Sequence, residues 1–205
     1  MNFLLSLSKR IDAFSEWMGR WVAWLVLLAV LISAGNASMR KAFNMSSNGF
    51  LEIQWYLFAA VFLLASGYTL LRQEHVKIDV VSARFSKRTQ IWIDIVGICV
   101  FLLPFTFMIT KLAMPLVINA YVTGEVSSNA GGLIRWPVFA LLPIGMTVLA
   151  IQAVSELIKR IAFLQGLVPD PTKKLGTKTA EEELAEFLLQ KEVAAREAAQ
   201  MGAAK

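Results

Sequence analysis

Charge is missing from the parts of this 205-residue chain where it would be most telling. Four long apolar runs, residues 21–38, 50–71, 90–118 and 136–158, carry no acidic, basic or histidine side chain near their middles. Each approaches the ~20 residues a helix needs to cross ~30 Å of hydrocarbon. Carboxylates, lysines or histidines at mid-depth are costly and are kept for ion or proton movement. Their absence points to a scaffold rather than a conduit. There is one cysteine, Cys99, inside the third run, which excludes an internal disulfide and a thiolate metal cluster; a buried, small apolar filler is the expectation for it. The single histidine, His75, excludes bis-histidine haem ligation within the chain. No Gly-rich phosphate loop, Ser/His/Asp set or metal-ligand spacing occurs, so neither an enzyme nor a cofactor site is expected.

What is present is apolar bulk. Hydrophobic residues make up 57% and charged residues 17%, which places the chain among all-α integral membrane proteins, with four transmembrane helices and additional interfacial amphipathic helices. A net charge of +5 invites a nucleic-acid reading. The position of the basic residues refutes it, because they cluster in the short segments between apolar runs. Lys9, Arg10, Arg20, Arg72, Lys77, Arg84, Lys87, Arg88, Lys159 and Arg160 fall on one side, against Arg40, Lys41, Arg135 and the near-terminal Lys111 on the other. That asymmetry places both termini and the middle loop in the cytoplasm of a bacterial inner membrane. The first run has small residues after Leu31, but the long patterned segment before it makes an uncleaved helix the expectation rather than a signal peptide.

Three regions follow. Residues 1–20 read as an interfacial amphipathic helix: Phe3, Leu4, Leu7, Ile11, Phe14 and Met18 recur at helical spacing, with Lys9, Arg10, Asp12, Ser15 and Glu16 on the other face. Trp17, Trp21 and Trp24 then form an interfacial belt. Residues 21–165 are the four-helix membrane domain, and 166–205 a cytoplasmic linker with a short helical tail, begun by a Thr179/Glu182 capping box. In the middle loop, Ile78, Val81 and Phe85 suggest a second interfacial helix, with Asp79 as its cap and Ser86 as the cap of span three. Pro104 and Pro143 mark expected bends in spans three and four.

The polar residues near the span ends are candidates for anchoring or partner contact. Glu52 and Gln54 open span two, and Asp94 lies near the start of span three, where a helix N-terminus favours a carboxylate. Lys111 stands towards the far end of span three, where its stem reaches the headgroups.

Three stretches resemble one family. Glu52, the apolar run to Leu71 and then Arg72-Gln73-Glu74-His75-Val76-Lys77-Ile78-Asp79 are similar to the small membrane (Q-type) subunit of tripartite ATP-independent periplasmic (TRAP) transporters. Ser128 to Pro137, with Arg135-Trp136-Pro137, and Gln152 to Arg160 resemble the loop and last helix of the same subunit. The resemblance implies partnership with a large, elevator-type TRAP membrane subunit and a periplasmic substrate-binding protein, within the membrane lipid, for sodium-driven uptake of an organic acid. It adds His75, Asp79, Arg135, Trp136 and Pro137 to the structural or partner-contact candidates, and implies that the small subunit holds no substrate. A self-sufficient four-helix transporter using Glu52, and a membrane-anchor subunit of an enzyme, stand as alternatives.

Overall fold

In a computed structural model the described residues are 1–43, 48–74 and 85–171. They form an all-helical chain without strands, and four of its helical stretches are long and apolar enough to cross a membrane. In order these are α1 (Asn2–Phe43), α2 (Asn48–Leu64) with the short α3 (Ser66–Leu71), α4 (Lys87–Val96) running through a π-helical turn (Gly97–Leu102) into α5 (Leu103–Thr123), and α6 (Trp136–Leu164).

α6 is the centre. It packs on α1, on α2 and α3, and on α4 and α5, and it buries a stripe from Pro143 to Ala162. Small residues let the neighbouring backbones approach, as membrane helices require when lipid offers no hydrophobic drive to association. A Cβ on Gly145 would stand 2.7 Å from the Leu63 carbonyl oxygen, and one on Gly19 would enter the Tyr68 ring. Between α2 and α3, Ser66 Oγ bonds the Leu63 carbonyl (2.7 Å), a side chain competing with the backbone ladder at the break.

The buried positions of α1 are Ser8, Ser15, Val22 and Ala29, a seven-residue repeat. In the third span they are Ile91 and Ile98, then Thr106, Ala113 and Ala120. The step from 98 to 106 is eight rather than seven, and the π turn supplies the extra residue. Pro104, just beyond it, has no N–H to give the carbonyl of Val100, so the ladder is already interrupted there. Ser86 caps α4 by accepting from the Thr89 amide (3.3 Å), as its position suggested.

Several expectations need correction. Residues 2–43 are one unbroken helix of 42 residues, about 63 Å long, rather than an interfacial helix followed by a separate span. Its Ser8, Asp12, Ser15 and Glu16 face turns onto α6 and α3, and its Phe3, Trp17, Trp21 and Trp24 face points outward. Lipid is as apolar as a core, so the apolar side has no need to turn inward. Cys99 is exposed on the outside of the π turn rather than buried. Asp94 lies two turns inside α4, beyond the first turn where the dipole acts, and its partner is Arg160. Span three continues to Thr123, so Lys111 lies deeper than its place in the 90–118 run implied. His75, Asp79 and most of the expected middle-loop helix fall outside the described residues, as does the tail after Pro171.

Candidate functional site

Two polar clusters occupy opposite ends of the bundle. Trp136 and Glu156 are twenty residues apart on α6, roughly 30 Å along its axis, the thickness of the hydrocarbon core.

The first cluster surrounds Glu52, which is 4% exposed on the opening turns of α2. The segment from Gly124 to Arg135 folds over it. Gly124 closes α5 with φ 62°, a left-handed cap that a side chain would strain. Val126 and Ile134 pair across the loop, and Gly132 N–H bonds the Asn129 carbonyl (2.9 Å) around Gly131 at φ 72°. This folded loop delivers three donors to one carboxylate. The Ser127 hydroxyl and Asn129 Nδ2 (2.7 Å) donate to Oε1, and the Leu133 amide (2.7 Å) donates to Oε2. Tyr56 Oη donates to the Ile134 carbonyl (3.1 Å), and Asn48 Nδ2 to that of Ala130 (3.4 Å). Arg135 is paired with Glu125 (2.9 Å), whose hydrogen bond and charge hold the guanidinium pKa above its ordinary value. Trp136 meets Tyr121 edge to face at 5.5 Å, and Pro137 sits in the first turn of α6, where its missing N–H costs nothing. Gln54 is buried on α2 but takes no part in the bonds to Glu52.

The second cluster binds helix to helix. Asp12 accepts from Gln152 Nε2 (2.9 Å), the Ser155 hydroxyl (2.7 Å) and Lys159 Nζ (3.1 Å). Ser8 and Ser155 share a 2.7 Å bond, and Ser15 donates to Gln152 Oε1 (2.7 Å). Glu156, fully buried, is paired with both Lys159 and Arg160 and accepts from Gln73 Nε2 (3.2 Å). Arg160, 2% exposed, reaches on to Asp94 with Nε (3.1 Å) and Nη2 (3.0 Å). Arg72 pairs with Glu16 (3.1 Å) and lies over the Tyr68 ring, 5.4 Å from its centroid. α1, α3, α4 and α6 are therefore joined by one network.

Of the residues singled out from sequence, Glu52, Arg135, Trp136 and Pro137 are gathered at one end, and Asp94 enters the network at the other. Asp12, Glu16, Gln152, Ser155, Glu156, Lys159 and Arg160 were not expected as a site. Their signal was present as polar residues three and four apart, each set on one face at the start of α1 and the end of α6, but spacing alone does not say that those faces turn inward. Among the described residues no group of acidic, His or Cys side chains could hold a metal ion. Chemically, both clusters can fix positions; neither assembles a nucleophile with a base.

Comparison with known proteins agrees with this layout. Neither the curated proteins nor the solved structures gave a significant match. One family model matches residues 29–163, from the middle of α1 to the end of α6, and its description is the DctQ component of tripartite ATP-independent periplasmic transporters. With that match covering most of its length, the second part of α1 and the three later spans, this multi-pass membrane protein belongs to the DctQ family, the small membrane component of TRAP transporters and not an enzyme.

Proposed function

We propose that this chain braces the large, elevator-type membrane subunit of a TRAP transporter in the bacterial inner membrane. That subunit would carry out sodium-driven uptake of an organic acid delivered by a periplasmic binding protein. The N-terminal end of α1, the end of α3, the start of α4 and the end of α6 face the cytoplasm, and the Glu52 loop faces the periplasm, in keeping with the excess of Lys and Arg at the first end. One observation supports the bracing role above others: the carboxylates of both clusters are engaged in holding helices and a loop together. A group that carries an ion must release it, and carboxylates holding the fold are poorly suited to that.

Reconstitution tests the reading. Proteoliposomes holding this chain, the large subunit and the binding protein should take up organic acid under a sodium gradient, and those holding this chain alone should not. Uptake by the lone chain would end the bracing model. Orientation is checked in a Cys99→Ala background, since the native thiol is exposed. Ser128→Cys should react with an impermeant reagent from the periplasm, whereas Ser82→Cys and Thr177→Cys should not.

A further inference from the structure

Lys111 is on the wrong side of its helix for a bundle and at the wrong depth for a headgroup. On α5 the buried positions are Thr106, Ala113 and Ala120, and at 100° per residue Lys111 points directly away from them. Its face is apolar and outward: Phe107 is 71% exposed, and Met108, Met114 and Ile118 are exposed with it. Tyr121 and Trp136, in edge-to-face contact, are the aromatic pair that the interfacial preference of Tyr and Trp assigns to the nearer membrane boundary. Lys111 is ten residues below it, roughly 15 Å along the axis, more than a four-carbon stem can climb. The ammonium makes no hydrogen bond or ion pair among the described residues.

The backbone adds a second polar group at the same place. Pro115 has no N–H, so the Lys111 carbonyl lacks the amide donor four residues on. The Lys111 carbonyl thus lacks its usual helical donor beside an ammonium that hydrocarbon cannot satisfy. Methionines on either side supply the adaptable surface that helix contacts use.

We infer that this face of α5 is the docking surface for a membrane-spanning helix of the large subunit, and that the helix presents a carboxylate to Lys111. Charge complementarity selects this occupant. Lipid tails leave the ammonium unpaired, and a second copy of the same face would set two lysines against each other. The inference rests on the bracing role proposed above and gives it a location.

The test uses the whole transporter in its membrane. A benzophenone-bearing residue replaces Phe107 or Ile118, with Phe62 of α2 as the control position. Crosslinks to the large subunit are expected from 107 and 118 and not from 62. Lys111→Glu should lower the yield of complex on the order of tenfold or more, because it sets like charges together. Lys111→Met should lower it less, and Lys111→Arg should retain it. Since Lys111 has no partner among the described residues, the level of the chain expressed alone should be unchanged in all three variants. Crosslinks from 107 and 118 only to lipid or to a second copy, or an undiminished complex with Lys111→Glu, would overturn the inference. If the large subunit still co-purifies while crosslinking through position 62, the docking face is wrong and the bracing role stands. If no large subunit co-purifies with the unaltered chain, both fall.

Discussion

At the loop end of the bundle one carboxylate, Glu52, is held by three neutral donors, one of them a backbone amide. At the other end four carboxylates, Asp12, Glu16, Asp94 and Glu156, are interleaved with three cations, Arg72, Lys159 and Arg160. The chemistry follows the task. A loop such as Gly124–Arg135 has spare amides and small hydroxyls, so a single acceptor can organise it, and the helix behind needs no countercharge. Four helices meeting side by side have no spare amides, so side chains must supply both members of each pair. The ion network is also the more brittle arrangement, because losing one member leaves another buried and uncompensated.

The largest effect should come from breaking that network at its centre. Glu156→Ala leaves the buried guanidinium of Arg160 with Asp94 as its one carboxylate partner and takes a carboxylate from Lys159 as well; loss of one member of a buried pair costs up to about 3–5 kcal/mol. Thermal unfolding in detergent should fall steeply, and a double-mutant cycle with Arg160→Met should recover part of the loss. A loss no greater than that of an exposed substitution would remove the contrast between the two ends. Gly145→Ala comes next. Its Cβ meets the Leu63 carbonyl at 2.7 Å and would push apart the two helices whose register aligns both clusters. Overpacking of this kind costs about 1–3 kcal/mol, read in the same melting experiment.

Glu52→Gln sharpens the comparison from the loop end. A carboxyamide has one acceptor oxygen, so its NH2 must confront either the Leu133 amide or the Ser127 and Asn129 donors. The loop should loosen while the helices hold: faster thiol labelling of Ser128→Cys and faster loop proteolysis, with melting nearly unchanged. A large drop in melting would mean that the Glu52 cluster also holds helices. The smallest effect is expected for Glu16→Gln, whose pair with Arg72 is part-exposed at 44% and 31% side-chain exposure. Such pairs contribute about 0–1 kcal/mol, so melting should barely move, and high salt should abolish the difference.

Much of this was legible beforehand for a plain reason. Hydropathy summed over ~20 residues is a local property, and it marks a membrane span whatever the span packs against. The four helices and the Ser86 cap follow from such local rules. Glu52 was visible too, as a carboxylate in a helix's opening turns, but not its partners, which lie about eighty residues on. Asp94 was matched to the wrong stabiliser because the helix dipole is local and Arg160, its partner, is not.

The sequence by itself determined the class and the number of spans, because burial of apolar side chains in lipid needs no tertiary contact. Only the tertiary structure decided which face of each helix turns inward. In water the apolar side must be hidden, so periodicity names the core. In a bilayer lipid serves the apolar side equally well, and the inward face is chosen by small residues that permit close approach and polar residues that need each other. Ser8, Asp12 and Ser15 therefore meet Gln152, Ser155 and Lys159 inside the bundle, with Phe3, Trp17 and Trp21 outside. The outward face of Lys111 was settled in the same way, since Thr106, Ala113 and Ala120 on the opposite side of α5 turn to the bundle.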